Sequence, residues 1–338
     1  MRITRDLLIR LAKENTEERA YNDKTIIAAY LTGSLLKEEP LLGGTTDIDL
    51  IFVHNTPQAL RREIKALSAD IHLDIAHRAK KEYDPPRELR INPWLGHELY
   101  DPMLLYETKH FFEFTQASLR AGFDEPKSLL QRAYKLLNHA RKIWMDLQLN
   151  ASAVGPKEIL QYLEAVNNAI NAIVGLTGAP LPERRLMLEF PARAEAIGRP
   201  GFARGLLGLL GGTEVDAATL TEWLPAWKTF FMFATESTAV DGRIHPARLD
   251  YYQKAIEVIL AGEEPLAALW SLLHTWTLSA SVLPENQISP WQSACQLLNL
   301  GEDKFEERLQ GLDHYLDEIE EMLEKMVADH GFELSEIY

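Results

Sequence analysis

Tyr30-Leu-Thr-Gly-Ser-Leu-Leu-Lys-Glu-Glu-Pro-Leu-Leu-Gly-Gly-Thr-Thr-Asp-Ile-Asp-Leu-Ile-Phe-Val53 is the stretch that decides the fold, because it sets a Gly-Ser turn ahead of two aspartates one residue apart. Ile26 to Leu31 is a short apolar run that ends in Thr32-Gly33-Ser34, which reads as a buried strand entering a tight turn. Gly33 lets the backbone approach a ligand closely, and Ser34 offers an N–H and a hydroxyl to a phosphate. Twelve residues then separate Ser34 from Asp47, room for a helical turn and the Gly43-Gly44-Thr45-Thr46 loop. Asp47-Ile48-Asp49 opens a second strand, Ile48 to Val53, whose period of two aims both carboxylates at one face and Ile48 at the other. Two like charges on one face repel. A divalent cation with a preference for hard oxygen ligands relieves that repulsion, and Mg²⁺ keeps positions for water and substrate phosphates.

A third acid lies on the next alternating run, Ile71-His72-Leu73-Asp74-Ile75-Ala76, with Asp74 on the face opposite Leu73 and Ile75. The intervening segment reads as a helix: Thr56 as N-cap, Pro57 at the first position, and Leu60, Ile64 and Leu67 at helical spacing through Gln58 to Ser68. Strand, helix and strand would bring Asp47, Asp49 and Asp74 to one metal site.

Residues 24 to 78 resemble the nucleotidyltransferase superfamily named after DNA polymerase β: Gly33-Ser34, a spacer, Asp47-x-Asp49 on a strand, and Asp74 on a later strand. With the helical region that follows, the chain looks like the branch that contains the aminoglycoside (kanamycin and streptomycin) nucleotidyltransferases. The resemblance implies in-line attack on the α-phosphorus of a nucleoside triphosphate, with ATP as the favoured nucleotide and pyrophosphate as the leaving group. Asp47 and Asp49 would hold Mg²⁺ and Asp74 a second ion, while Asp74 also activates the acceptor hydroxyl. Gly33 and Ser34 would clamp the β- and γ-phosphates. In the antibiotic branch a further carboxylate acts as base, and Glu98 or Glu88 is the candidate here.

Composition sets bounds on the partner. The chain has 338 residues, 46% of them hydrophobic, which predicts two domains with ample core. Cys295 is the single cysteine, which excludes an internal disulfide framework or a cysteine-based zinc cluster and suits a reducing cytoplasm. Met1 to Lys13 interleaves charges with leucines and reads as an amphipathic helix rather than a signal peptide, and no run approaches the ~18 to 20 apolar residues of a membrane span. Of the formal charge of −15, ten units fall in residues 302 to 338, where 13 acids face 3 bases. No basic stripe stands out, which argues against a nucleic-acid partner and for a small-molecule hydroxyl acceptor. Acceptors of RNA or protein, and a non-catalytic antitoxin-like or regulatory role, are the alternatives.

Taken in order, residues 3 to 20 read as a first helix with Leu7, Leu8 and Leu11 on one face. After Asp74, His77 to Pro93 is polar and proline-bearing and reads as irregular, leading into Trp94 to Pro102. Arg87, Glu88, Arg90, His97, Glu98 and Asp101 on this loop are candidates for substrate contact. His72 and His77 lack a third ligand at zinc spacing and read as structural. From Met103 onward helical patterns alone are predicted, at 103 to 120, 126 to 149, 156 to 175, 183 to 197, 200 to 210, 216 to 239, 246 to 261, 264 to 281, 288 to 299 and 302 to 328. Gly205 to Gly212 lacks the Lys-Ser/Thr of a phosphate loop and reads as close helix packing. Trp223, Trp227, Trp270, Trp276 and Trp291 lie on helical stripes as core. The expected architecture is α+β: a nucleotidyltransferase domain with a small mixed sheet at residues 1 to 120, then a larger all-helical domain at 121 to 338.

Overall fold

The computed structural model describes residues 4 to 149 and 153 to 338 and shows an α+β protein. The chain divides into two compact units, Met1–Ser128 and Leu129–Tyr338.

The first unit opens with α1 (Arg5–Asn22), capped by Thr4, whose side-chain oxygen accepts the Leu7 N–H. Leu8, Ala12, Thr16 and Ala20 recur every four residues and form its buried stripe. A five-stranded sheet follows, built from β1 (Ile26–Thr32), β2 (Thr46–His54), β3 (Arg62–Ala66), β4 (Ile71–Ala79) and β5 (Met103–Glu107), in the order β3-β4-β2-β1-β5. β1 is antiparallel to both β2 and β5, β2 is parallel to β4, and β3 is antiparallel to β4. One face, carrying Ile48, Leu50, Phe52, Leu73 and Ile75, packs on Leu8 and Ala12 of α1. The other carries Tyr30, Ile51 and Val53 against Leu89, against Leu95 and Leu99 of α2 (Leu95–Tyr100), and against Phe112 and Leu119 of α3 (Phe111–Arg120). Burial on both faces explains why Leu50 to Val53 is continuously apolar rather than alternating.

Three expectations are corrected here. Gln58 to Ser68 is not a helix: Arg62–Ala66 is the edge strand β3, paired from Arg62↔Ala76 to Ala66↔His72. Leu60 and Leu67, which suggested the helical stripe, are 57% and 40% exposed, so no apolar helix face exists to be buried. A turn in which Ser68 Oγ accepts the Asp70 N–H returns the chain into β4. Met103–Glu107 is likewise a strand, not the start of a helix, and it covers the β1 edge that would otherwise lie unpaired. Two residues of positive φ, Lys109 and His110, then turn the chain into α3. Finally, β4 runs on to Ala79, so His77 and Arg78 belong to the sheet; Lys80–Tyr83 and Pro86–Ile91 are short 3-10 turns.

The second unit is helical among its described residues: α4 (Pro126–Leu149, which begins just before the unit boundary), α5 (Pro156–Val174), α6 (Leu186–Ala196), α7 (Gly201–Leu209), α8 (Ala217–Ala234), α9 (Leu249–Leu260), α10 (Leu269–Ala280), α11 (Ser289–Leu297) and α12 (Phe305–Asp329). Trp227, Trp270, Trp276 and Trp291 are core as expected, whereas Trp223 is only half-buried. Trp227 Nε1–H donates to Thr275 Oγ1 (2.9 Å) and Trp291 Nε1–H to Thr277 Oγ1 (3.0 Å), so α10 supplies the partners their buried indoles need. The glycine run packs closely: a Cβ on Gly205 would meet the Tyr315 ring at 2.7 Å. Leu309, Leu312, Leu316, Ile319 and Leu323 form the buried stripe of α12. Its acidic face is partly engaged, since Arg141 pairs with Asp313 and Asp317. No helix among the described residues is long and apolar enough to cross a membrane.

Candidate metal centre on the sheet

Asp47 and Asp49 project from one face of β2, two residues apart, and Asp74 stands directly across from Asp49 in the parallel register with β4. One carboxylate oxygen from each lies within 4.8 Å of the others. Asp47 and Asp74 are buried and Asp49 is half-buried. Unit charges at that separation repel by on the order of 3 kcal/mol per pair in a medium of effective dielectric near 20. Three hard, anionic oxygens converging from rigid strands are a donor set suited to a divalent cation of the Mg²⁺ type.

The turn after β1 completes the arrangement. Gly33 has φ 81° and ψ −157°, a region that only glycine enters readily. A Cβ built there would lie 1.9 Å from Asp49 Oδ2. Glycine is thus required twice, by the backbone angle and by the carboxylate seated against its Cα. Ser34 follows in a single 3-10 turn, 3.2 Å from Thr46 Oγ1 through its own Oγ. This hydroxyl pair ties the turn to the first residue of β2.

One residue absent from the sequence reading belongs to this centre. Arg62 of β3 donates from Nε to Asp74 Oδ1 at 2.6 Å and from Nη2 to Asp74 Oδ2 at 2.5 Å, a two-pronged pair on a buried carboxylate. Register explains it, since Arg62 and Ile64 share the face of Asp74 and Ala76. A helix over Gln58 to Ser68 hides that alternation, of which the sequence keeps only a trace in Ile64 and Ala66, two apart among charged residues.

Glu98 lies elsewhere on the same side of the sheet. It accepts two hydrogen bonds from Arg78 (3.1 and 2.6 Å) and one from the Tyr30 hydroxyl (2.5 Å), which also contacts the Tyr83 hydroxyl at 2.9 Å. Arg78 is four residues beyond Asp74 on β4, roughly 13 Å along a strand, so Glu98 sits on a separate polar cluster from the three aspartates. Burial, and next the Glu98 charge, push the Tyr30 and Tyr83 hydroxyls above the usual phenol range. Among the other loop candidates, Glu88 pairs with Arg87, Asp101 pairs with Arg120, Arg90 donates to the Ser118 carbonyl, and the His97 ring stands edge-on to Phe123.

Of the two histidines, His72 is buried and stands directly across from Asp47 in the register, on the face of the three aspartates, whereas His77 is not part of the centre. His77 sits on the α1 face in a chain of contacts: Thr25 Oγ1 to His54 Nδ1 (2.8 Å), His54 Nε2 to His77 Nδ1 (2.9 Å), His77 Nε2 to Glu63 Oε1 (2.7 Å), and Glu63 to Arg19. Burial, then the neighbouring His77, lowers the His54 pKa. Glu63 is held down at about 2, chiefly by its hydrogen bonds from Arg19.

No protein-family model and no curated protein matches the chain. Among solved structures, a nucleotidyltransferase-like protein from Exiguobacterium sibiricum is similar, at 10% identity over 91% of this chain and 90% of that one, with a TM-score of 0.29. At that score the likeness decides nothing.

Proposed function

We propose that the protein is a metal-dependent nucleotidyltransferase that moves a nucleoside monophosphate from a nucleoside triphosphate, ATP first among them, to a hydroxyl of a small molecule. The observation that carries this reading is the convergence of Asp47, Asp49 and Asp74 within 4.8 Å against a turn whose glycine is sterically obligatory. Asp47 and Asp49 would hold Mg²⁺, with Asp74 as the ligand available to a second ion. When bound, such ions neutralise the triphosphate oxygens and the charge that builds on the leaving pyrophosphate.

The remaining work falls to the chain itself. Gly33 brings the backbone against the phosphates, and Ser34 presents its N–H and hydroxyl to the β- and γ-phosphates. The acceptor oxygen bonds to the α-phosphorus as the bond from that phosphorus to the bridging oxygen breaks. Asp74 takes the hydroxyl proton, and to do so it exchanges one of its two Arg62 contacts for the acceptor. Glu98, fixed by Arg78 and Tyr30, orients the site's neighbouring wall in this reading and bears on the acceptor from there.

A small acceptor is supported by the lack of a basic stripe in the sequence. A polycationic acceptor such as an aminoglycoside gains less from the loop than its sequence suggests, because Glu88, Glu98 and Asp101 each face an arginine. The test is incubation with Mg²⁺ and nucleoside triphosphates labelled at the α-phosphate, offered aminoglycosides and other polyols, RNA, and protein in separate reactions. Metal-dependent label on a small hydroxyl compound is the expected result. Label on RNA or protein overturns the acceptor class, and no transfer to any acceptor together with no Mg²⁺ binding overturns the enzyme.

A further inference from the structure

The carboxylates occupy one end of the sheet, and a cavity of about 720 Å³ occupies the other. It is reached where β1 begins and β2, β4 and β5 end, at Ile26, Asn55, Lys80 and Thr108. Asn55 is six residues past Asp49 along β2, roughly 20 Å at strand rise, so the two places cannot share one small ligand. A volume of this size is that of an ordinary small-molecule site.

Its lining combines two chemistries. Phe111 and Phe114 contribute aromatic surface, with buried Tyr83 edge-on behind Phe111, and Phe114 is 68% exposed although it is a large apolar ring. Lys24, Lys80 and Lys109 contribute positive charge, against Asp84 as the one acidic residue among those that line the cavity. The arginines around the sheet are satisfied by carboxylates, as in Arg19 with Glu63, Arg61 with Glu82, Arg62 with Asp74 and Arg78 with Glu98. None of the three lysines is in an ion pair among the described residues. Lys80 Nζ instead lies 5.7 Å from the centre of the Phe111 ring, and Lys24 Nζ lies 4.8 Å from the Tyr21 ring. Lys109 is carried on a left-handed residue, φ 58°, next to a second one at His110, φ 54°. Such a pair of non-glycine residues is a conformation the surroundings must hold in place. The first N–H groups of α3 do not supply the charge, because Glu107 Oε2 already accepts from Phe112 and Glu113.

We propose that this cavity is a second ligand site, for an anion that carries a planar ring and is of the size of a nucleoside monophosphate. The ring lies beside Phe111 and Phe114, where Lys80 already stands over the Phe111 face. The phosphate is met by Lys80 and Lys109, which have no carboxylate to give up. The site requires no metal, and it stands or falls apart from the catalytic reading.

The experiment is calorimetric titration of AMP, with adenosine and inorganic phosphate as separate arms, into an Asp47→Asn/Asp49→Asn protein in the presence of a chelator. Removing the paired acids and the metal isolates the cavity from the catalytic centre. Saturable binding of AMP is expected, weaker by about tenfold in Lys80→Gln and again in Lys109→Gln, the size of one charge-assisted contact each. Both lysines are exposed, so these variants fold, and Phe114→Ala is a third that tests the ring. Absence of saturable AMP binding overturns the proposal, as does binding indifferent to Lys80→Gln and Lys109→Gln. Inorganic phosphate binding as tightly as AMP also overturns it, since the rings would then contribute nothing.

Discussion

Gly33→Ala is the sharpest perturbation of the centre because it adds one carbon and no charge. The new Cβ would lie 1.9 Å from Asp49 Oδ2 and 2.8 Å from Asp49 Cγ, inside any tolerated contact. Two costs follow. The backbone angle, φ 81° with ψ −157°, costs about 1 to 3 kcal/mol for an alanine. Separately, either Asp49 rotates away from Asp47 and Asp74 or the Thr32 to Ser34 turn moves off β2. For the first unit, the backbone term alone lowers the melting temperature by roughly 3 to 10 °C. The displaced carboxylate removes a preorganised charge, which typically costs ~10²- to 10³-fold in turnover. Thermal melts with and without Mg²⁺, calorimetric Mg²⁺ titration and a pyrophosphate-release assay read these in parallel. Wild-type Mg²⁺ affinity in a folded Gly33→Ala protein would refute the placement of Asp49 against the turn, and with it the claim that this carboxylate is held for a metal.

Asp47→Asn and Asp49→Asn should fold normally and lose at least ~10²-fold of metal-dependent turnover, and the Mg²⁺-induced rise in melting temperature should vanish with it; equal rises in mutant and wild type would count against the metal. Arg62→Ala should destabilise the metal-free protein by roughly 1 to 3 kcal/mol, since it leaves the buried Asp74 carboxylate without its partner, yet tighten Mg²⁺ binding severalfold by removing a competing cation from Asp74; weaker Mg²⁺ binding would show that Arg62 helps to build the site instead. Glu98→Gln should leave Mg²⁺ affinity unchanged while altering KM for the acceptor, and a lost Mg²⁺ response would tie Glu98 to the metal after all. The His54 pKa is lowered on folding, so below the ordinary value near 6.5 the unfolded chain binds a proton that the folded one refuses. Stability from this group is therefore present above that pH and lost as pH falls toward the depressed value; urea unfolding from pH 7.5 to 5 should show the loss in wild type and a flatter profile in His54→Gln. Glu63, held at about 2, contributes in the same direction but only at lower pH, its stability present above the ordinary carboxylate range and lost as pH falls toward 2.

What was legible in the sequence follows from how local each signal is. β1, β2 and the first part of β4 are buried on one or both faces, so their apolar runs announce themselves, and the aspartates interrupt those runs at positions that a period of two places on one face. The helices of the second unit were equally plain, because most bury a stripe at three- and four-residue spacing, as α12 does, or are apolar nearly all round, as α10 is. The misread elements, β3 and β5, are the two sheet edges. Edge strands bury little, as the half-exposed pattern of Arg62–Ala66 and the uniformly half-buried Met103–Glu107 show, so their composition carries no strong period. Their identity is set by the backbone of a neighbour far along the chain, β4 for one and β1 for the other.

That misreading bears on the chemistry, because β3 links the two faces of the sheet. Its alternation sends Arg62 to Asp74 on the carboxylate face and Glu63 to Arg19 and His77 on the α1 face. A helix in its place would leave Asp74 without the guanidinium that holds both its oxygens, and would take the Glu63 carboxylate away from His77, leaving Asp23 beside His54 as the pair's acidic neighbour. The same five residues thus set the charge state around the third acid and the acid sensitivity of the opposite face. A helix-stabilising change such as Lys65→Ala has no helix to act on and should leave both untouched, whereas Lys65→Pro removes a ladder N–H directed at Leu73 of β4 and should disturb both together. Mg²⁺ titration reports on one face and the pH profile of unfolding on the other. If Lys65→Pro altered only one of them, β3 would not be the element that couples the two.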